Sequence, residues 1–231
     1  GMTRHDIKDF NSLYLRRLFN FIANENKQVL NAENPILSGS TFDGSRVQLM
    51  IPPAATQYTL SIRRQTLTKL TLDDYVKSNF FEKTKIFLMN DSILDLISDD
   101  ERKLLSLYQN PKKWEDFIAL AVALKKNIVL SGGTSTGKTT FLNTCTSLIP
   151  LSERIITLEN AREVQLPHRN QVNLIAPKNS NTTMQQLVQS TMRLRPDRLI
   201  MGEILGSEVL DFISACSTGH DGSVATIHAN N

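Results

Sequence analysis

The sequence predicts an α/β domain preceded by a smaller α+β domain. In the second half of the chain, short apolar runs alternate with segments of helical periodicity. Buried strands joined by helices indicate a sheet with mostly parallel pairing. In the first half, one amphipathic segment precedes two strand-like runs, which is typical of an α+β arrangement. We therefore place an N-terminal domain at residues 2–105, a linker at 106–113 and the α/β domain at 114–231.

The N-terminal domain is predicted to begin with a helix and to continue with two strands. Apolar residues recur at helical spacing in His5–Glu25. Thr41–Pro53 and Tyr58–Arg64 have strand composition, and turn residues bound the first of these runs. A short helix is expected in Thr71–Phe81, because Thr71 is a suitable N-cap and acidic residues occupy the first turn.

The α/β domain is predicted to contain five strands and four helices. The strand-like runs are NIVLSG, RIITLE, QVNLIA, RLIMGE and SVATIHA. The helical segments are KWEDFIALAVALKK, KTTFLNTCTSLI, TMQQLVQSTMRL and SEVLDFISACSTG. We place the hinge between the two domains in Ser98–Lys113, because Asn110-Pro111 interrupts the periodicity there.

The composition argues against several classes of protein. The formal net charge is +3, too small to indicate nucleic-acid binding by itself. The longest apolar run, Phe117–Leu124, has eight residues, whereas a membrane-spanning helix needs about 20. Cys145 and Cys216 lack the spacing of a zinc site or a disulfide framework, which favours the cytoplasm. We expect no transmembrane segment.

One glycine-rich segment matches a phosphate-binding motif. Gly132–Thr139 fits G-x-x-x-x-G-K-[ST] between a strand and a helix. The glycines let the backbone N–H groups face one anion, and the helix adds its positive N-terminal end. Lys138 is expected to reach the β- and γ-phosphates, and Thr139 to coordinate Mg²⁺. The predicted binding residues are Gly133, Thr134, Ser135, Thr136, Gly137, Lys138, Thr139 and Thr140.

Charged and polar residues follow three other predicted strands. Glu203 ends RLIMGE, where a carboxylate beside the phosphate loop can hold the Mg²⁺ shell or polarise the attacking water. Glu159 ends RIITLE and Glu163 follows it, although acids at such positions often belong to a solvated loop. His228 ends SVATIHA, and both a structural role and contact with the γ-phosphate stay open.

Four motifs occur in a specific order along the second half. GGTSTGKTT is followed by LENAREVQLPHRN, then by MRLRPDRLIMGE and then by GHDGSVATIHAN. This order resembles the secretion ATPase superfamily, which includes type II secretion, type IV secretion and pilus-motor ATPases. The segments LPHRNQVNL and MRLRPDR look most like the VirB-type ATPase of type IV secretion systems. The resemblance extends from about Phe42 to Asn231.

The resemblance implies a role for each candidate residue in a RecA-like P-loop NTPase domain. GGTSTGKTT corresponds to the family's Walker A motif. Glu159 and Glu163 match the acids of its Asp box, and Glu203 matches the acid of its atypical Walker B motif, which would activate water. His228 matches the His box near the γ-phosphate. In the N-terminal domain, Arg63 matches an arginine that reaches the nucleotide when the domains close.

The resemblance also implies an activity and a location. The family's members bind ATP and Mg²⁺ and hydrolyse ATP, and domain closure in a hexameric ring drives substrate transfer or apparatus assembly. The ring would lie on the cytoplasmic face of the inner membrane, against the secretion-channel proteins, with no direct nucleic-acid site evident. The family's C-terminal helical region follows the His box, so we expect the domain at 114–231 to lack it.

Two positions differ from the family's usual pattern and keep alternatives open. Asn160 stands where the Asp box usually has Asp, and Leu205 stands where an Arg is usual. These differences favour a nucleotide-binding structural or regulatory subunit with low turnover. A type II secretion or pilus motor ATPase is a further alternative. A small-molecule kinase would need an acceptor site and a lid, and the sequence contains neither signature.

Overall fold

Two compact units, each with its own sheet, are formed by the chain. A computed structural model describes residues 10–42, 44–64, 69–86, 97–176 and 181–229. The units divide between residues 66 and 67. The first contains a three-stranded sheet and the second a five-stranded sheet. This order agrees with the predicted α+β domain followed by an α/β domain.

The first unit is a helix packed on an antiparallel sheet. Its elements are α1 (Ser12–Glu25), β1 (Ile36–Ser40), β2 (Arg46–Met50) and β3 (Thr59–Arg63). The strands lie in the order β1-β2-β3, and both pairings are antiparallel. Phe19 and Ile22 of α1 share a core with Leu37 and Leu49 of the sheet. The predicted helix and two strands are confirmed here, while residues 5–9 of that helix lie outside the described residues.

Strand β1 is not predicted by the sequence pattern. Ser and Gly fill three of the five positions of ILSGS, and such residues have low strand propensity. The side-chain amide of Asn26 stabilises the strand by accepting from Ser40 N–H at 2.9 Å and donating to Ser40 C=O at 3.0 Å. A Cβ on Gly39 would lie 2.3 Å from Asn26 Oδ1. Glycine is therefore required for this close approach.

The second unit alternates helices and strands as predicted. Its elements are α2 (Leu72–Lys77), α3 (Asp99–Tyr108), α4 (Trp114–Ala123), β4 (Ile128–Gly132), α5 (Lys138–Ser147), β5 (Ile155–Glu159), β6 (Gln171–Ile175), α6 (Met184–Thr191), β7 (Arg198–Ile204), α7 (Glu208–Ser217) and β8 (Val224–His228). The strands pair in parallel in the order β4-β8-β7-β5-β6. The five predicted strands and four predicted helices are confirmed. The five parallel strands all end at the same edge of the sheet, which is called here the carboxyl edge.

The five-stranded sheet is covered on both faces. Alternate residues of a strand point to opposite faces, so Ile156 of β5 packs in a core with Val188 of α6 and Phe212 of α7. Its neighbour Ile155 packs in a second core with Leu142 of α5. This double burial explains the nearly continuous apolar runs of the central strands. Among the described residues, no helix is both long and apolar enough to cross a bilayer.

The segment between the two predicted domains differs from the sequence prediction. Residues 99–108, placed in the hinge, form helix α3, whose N-cap Ser98 makes a capping box with Glu101. Tyr108 packs edge-on against Trp114 at 5.6 Å, which attaches the predicted linker to α4. Helix α2, capped by Thr71 as predicted, also belongs to the second unit, because Leu72 is buried in its core. The units therefore divide before α2 rather than at 106–113.

Candidate nucleotide-binding site

The predicted phosphate loop connects β4 to α5 at the carboxyl edge. Ser135 and Gly137 have φ angles of 61° and 88°, in the left-handed region that turns the backbone sharply. Thr136 Oγ1 donates to the Gly133 carbonyl oxygen at 2.9 Å and closes the turn. A Cβ on Gly132 would lie 2.9 Å from that hydroxyl oxygen. A side chain at the motif's first glycine would therefore displace the Thr136 hydroxyl that closes the turn.

The start of α5 is built to receive an anion. Its N-cap is Gly137, and no side chain caps the helix. The first N–H groups of the helix therefore have no side-chain acceptor and are available to a phosphate. Lys138 Nζ donates to the carbonyl oxygens of Gly132 and Gly133 at 2.8 and 2.7 Å. All the predicted phosphate-binding residues, 133–140, lie in this loop or in the first turn of α5.

Thr139 and Glu163 meet beside the loop. Thr139 Oγ1 lies 3.3 Å from Glu163 Oε2. Two oxygen ligands on neighbouring corners of an octahedral Mg²⁺ are about 3 Å apart, given Mg–O distances of about 2.1 Å. The pair therefore fits Mg²⁺ in spacing and in ligand type. In the part of the chain that the structure describes, no cluster of three His, Cys, Asp or Glu could hold a metal, so phosphate oxygens and water would complete the shell.

The loop that carries Glu163 is held by two side chains. Glu159 Oε1 accepts hydrogen bonds from the N–H groups of Glu163 and Val164, both at 2.7 Å. From α5, Asn143 Oδ1 accepts from Gln165 N–H at 3.0 Å, and its Nδ2 donates to Glu163 C=O at 3.4 Å. Together these bonds fix the loop between β5 and α5. Glu159 thus supports the position of Glu163 directly.

Asn143 is a site residue that the sequence analysis missed. It belongs to no motif, and its hydrogen bonds join it to a segment 20 and 22 residues away. The available signal is its position four residues after Thr139, which places both side chains on the same face of a helix. That spacing becomes informative only when the partner loop is known.

The carboxylate of Glu159 is almost completely enclosed. Its residue is 2% exposed, and its Oε2 has no hydrogen-bond partner among the described residues. Burial raises the pKa of this carboxyl, while the N–H donors of Glu163 and Val164 oppose that rise. A Cβ on Gly202 would lie 3.1 Å from Glu159 Cγ. The glycine before Glu203 therefore makes room for the Glu159 side chain between β5 and β7.

Glu203 lies in an irregularity of strand β7. The β7–β8 register changes between Met201, which pairs with Ala225, and Ile204, which pairs with Ile227. Two residues of β7 therefore oppose one of β8, as in a β-bulge, and such bulges re-aim side chains next to active sites. The Glu203 residue is partly exposed. None of the hydrogen bonds within the described residues involves its side chain.

His228 lies next to the start of the phosphate loop. The parallel pairing of β4 with β8 sets Gly132 opposite His228, and Ala229 N–H donates to Gly132 C=O at 3.4 Å. The His228 residue is exposed. Parallel strand order thus brings His228, the phosphate loop and Glu159 to the same edge, as the sequence predicts for residues that follow such strands.

A cavity of about 720 Å³ adjoins the phosphate loop, a size typical of small-molecule sites. Its lining residues are Phe80, Val129, Leu130, Ser131, Gly132, Gly133, Thr136, Gly137, Lys138, Phe141 and Ala229. One part of the lining is the phosphate loop and another part is apolar. The sequence analysis assigns no site role to Phe80, Val129, Leu130 or Phe141.

Arg63 is the last residue of β3 in the first unit. Its residue is exposed, and its backbone register partner on β2 is Arg46. The antiparallel sheet thus places an exposed guanidinium at the end of an edge strand.

Comparison with known proteins gives the family. A family model described as Type II/IV secretion system protein matches residues 93–231. The chain belongs to this family. The match includes the phosphate loop, the Glu163 loop, Glu203 and His228. It also includes helix α3, which precedes the predicted start of the α/β domain.

Individual relatives agree with this family. The type IV secretion system protein VirB11 of Brucella suis is 34% identical over 211 residues, covering 87% of this chain and 56% of the relative. The type IV secretion system protein PtlH of Bordetella pertussis is 33% identical over 205 residues, covering 85% of this chain and 58% of the relative. The chain therefore spans somewhat more than half the length of these relatives.

A solved structure agrees with both sequence and fold. The crystal structure of the VirB11 ATPase from the Brucella suis type IV secretion system, in complex with sulphate, aligns with a TM-score of 0.55 and 31% identity. The alignment covers 98% of this chain and 68% of that chain. The predicted resemblance to the type II and type IV secretion ATPases, VirB-like in detail, is therefore confirmed.

Proposed function

We propose that this chain is the ATP-hydrolysing subunit of a type IV secretion system. The observation that carries the proposal is that the phosphate loop and Lys138 line one cavity, while the Thr139–Glu163 pair lies beside the same loop. This combination provides an anion cradle, a cation and hard oxygen ligands together. The family and the VirB11 relatives support the same activity.

The loop geometry supports binding of a triphosphate. The N–H groups of the loop and of the first turn of α5 donate to phosphate oxygens. Lys138, which bonds to two loop carbonyls, exchanges those weak acceptors for the charged β- and γ-phosphates. Thr139 and Glu163 would hold Mg²⁺. When bound, the ion would neutralise part of the charge of the phosphate chain.

Hydrolysis needs a group that orients the attacking water. Glu203 serves this role, because it lies in a bulge at the carboxyl edge. Within the described residues its side chain makes no hydrogen bond, so the carboxylate is available to water. Glu159 is placed to act through the loop that it holds, keeping Glu163 near Thr139. His228, opposite Gly132 in the β4–β8 ladder, contacts the γ-phosphate. Positioning of this kind supplies most of the catalysis in phosphoryl transfer.

Coupling of hydrolysis to movement involves the first unit. Arg63 reaches the nucleotide when the two units close, and its planar guanidinium binds phosphate oxygens in pairs. Closure occurs in a hexameric ring on the cytoplasmic face of the inner membrane, docked on secretion-channel proteins. Closure of this type converts nucleotide state into rigid-body motion.

The test is phosphate release from ATP and Mg²⁺ by the purified chain. Lys138→Ala should reduce the rate to the background, since Lys138 carries the positive charge of the phosphate loop. Lys112→Ala, which removes an exposed lysine outside the cavity, is the matched control and should keep the wild-type rate. Equal rates for the wild type and Lys138→Ala would contradict hydrolysis by this chain. ATP binding without turnover would instead support the low-turnover subunit that Asn160 and Leu205 favour.

Ring formation is tested separately by mass in solution. Light scattering with a non-hydrolysable ATP analogue and Mg²⁺ should give a multiple of the chain mass of 26.0 kDa. A hexamer supports the proposed assembly, and a monomer under these conditions contradicts ring formation by this chain.

A further inference from the structure

Phe80 is an exposed aromatic residue beside the phosphate loop. It is 54% exposed, and it lines the same cavity as Lys138. Single exposed apolar residues are common on protein surfaces and need no explanation by themselves. Phe80 differs from these because its ring is fixed in place by several contacts while part of it stays open to the cavity.

The backbone at Phe80 is fixed by the end of helix α2. Asn79 has a φ of 56°, the left-handed conformation that ends many helices. Phe80 N–H donates to Tyr75 C=O at 3.0 Å, and Asn79 N–H donates to Val76 C=O at 3.0 Å. These two bonds form a Schellman motif, in which the residue after the left-handed one is apolar and contacts the last turn. The direction of the Phe80 side chain is therefore set locally.

Neighbouring rings fix the orientation of the Phe80 ring. Tyr75 approaches it edge-on, with ring centroids 4.8 Å apart. Phe141 lies nearly parallel to it, at 5.8 Å and an interplanar angle of 22°. Phe141 belongs to the first turn of α5, three residues after Lys138. The aromatic cluster thus connects α2 to the helix that carries the phosphate-binding lysine.

The cavity has an apolar part and an anion-binding part. Phe80, Val129, Leu130 and Phe141 line the apolar part, and the loop 132–138 lines the other. Nucleotides have the same division, since a flat aromatic base is joined through a sugar to a charged phosphate chain. An orthophosphate or an inorganic polyphosphate would leave the apolar part in contact with water only. The lining therefore matches a ligand with an aromatic end.

We propose that Phe80, supported by Phe141, is the stacking platform for the base of the bound nucleotide. This inference rests on the proposed function, because it names the part of the same cavity that takes the base. Stacking on an aromatic ring is worth roughly 5- to 150-fold in affinity per base and tolerates different bases. The ring is held before the ligand arrives, so little conformational entropy is lost on binding. The site accordingly takes nucleoside triphosphates and binds those with a purine most tightly, because a two-ring base covers the largest area.

The test compares two probes, ATP and inorganic tripolyphosphate, each with Mg²⁺, by isothermal titration calorimetry. Phe80→Ala should weaken ATP binding by about 5- to 150-fold and change tripolyphosphate binding by less than twofold. Phe80→Tyr keeps an aromatic face and should bind ATP like the wild type. Phe80→Leu keeps the apolar contact of the Schellman motif without a ring, and should lose ATP affinity while remaining folded by circular dichroism.

A matched control and the comparison of the two Phe80 variants separate the possible outcomes. Val76→Ala removes another exposed apolar side chain of α2, 44% exposed, that does not line the cavity, and should leave both affinities unchanged. Unchanged ATP affinity in Phe80→Ala and Phe80→Leu overturns the stacking platform. An equal loss for both probes also overturns it, because the ring would then act through the phosphate loop. Failure of the proposed function looks different, since wild type and Lys138→Ala would then bind tripolyphosphate equally.

Discussion

The charged residues at the two ends of strand β7 differ in burial and in hydrogen bonding. At the amino end, Arg198 is 1% exposed, and its guanidinium donates to both carboxylate oxygens of Glu153 at 2.6 and 3.2 Å. It also donates to Val122 C=O at 2.8 Å. At the carboxyl end, Glu203 is partly exposed in a bulge, and its side chain makes none of the described hydrogen bonds. The charge at the amino end is therefore paired within the protein, whereas the carboxylate at the carboxyl end is available to a ligand.

The difference shows that charged groups at the amino end of the sheet serve stability, whereas those at the carboxyl end serve function. A buried charge is tolerated only when its hydrogen bonds are complete. Arg198 meets that condition by donating to Glu153, to Val122 C=O and to Gly222 C=O. Gly222 also leaves space for the guanidinium, since a Cβ on this residue would lie 2.7 Å from Arg198 Nη1. A catalytic carboxylate must instead exchange partners with substrate and water. The carboxyl edge therefore leaves polar groups available, at some cost in local stability.

The largest expected effect is on turnover at the carboxyl end. Glu203→Gln should lower the rate of phosphate release about 10²- to 10⁴-fold, because a positioned acid–base group contributes that much. The free energy of unfolding should change by less than about 0.5 kcal/mol, as for other exposed substitutions. Phosphate release and urea denaturation measure the two quantities. Glu115→Gln, at an exposed position of α4, is the control, and an unaltered rate in Glu203→Gln would assign the water to another residue.

The opposite pattern is expected at the amino end. Arg198→Met should lower the free energy of unfolding by about 3–5 kcal/mol, because Glu153 is left without its buried partner. Urea denaturation measures the loss, and the double variant with Glu153→Gln should recover part of it. Arg193→Met, at an exposed arginine that precedes β7, should cost about 1 kcal/mol or less. Equal costs for the two arginines would show that the buried pair is not the source of stability.

A smaller effect is expected at Asn143, which holds the Glu163 loop from α5. Asn143→Ala removes two hydrogen bonds, each worth about 1 kcal/mol, and should raise the Mg²⁺ concentration for half-maximal phosphate release about three- to tenfold. The maximal rate at saturating Mg²⁺ should fall by less than about threefold, because Thr139 and Glu203 are unaltered. Asn24→Ala, at an exposed position of α1, serves as the control. A fall in maximal rate with no Mg²⁺ dependence would indicate a general structural role for Asn143.

Sequence patterns predicted the elements of the second unit more completely than those of the first. Strands β5 and β7 are buried on both faces, so their apolar runs are long and easily recognised. Strand β1 was missed because its Ser and Gly residues depend on Asn26, a contact between α1 and the strand. The sequence pattern predicts a hinge rather than helix α3 because the charged residues of this segment form few buried contacts, although its capping box is visible in the sequence.

The residues of the candidate site also differ in how well the sequence predicts them. The phosphate loop is a local structure, so the order of its glycines, lysine and threonine predicts its shape without knowledge of the rest. Asn143, Gly202 and Phe80 carry no such signal. Asn143 and Gly202 matter because α5 and β7 lie beside the segment that follows β5. Phe80 matters because its segment packs on Phe141 of α5.

The sequence by itself determined the family through the order of its motifs, and the α/β class through the alternation of strand and helix patterns. It also determined the phosphate-binding loop, whose residues lie close together in the chain. The tertiary structure alone decided which distant side chains support that loop. The bonds from Asn143 to the Glu163 segment, the room that Gly202 leaves for Glu159 and the ring of Phe80 at the cavity all join segments well separated in sequence. Such contacts depend on how helices and strands pack, and local propensity carries no information about that packing.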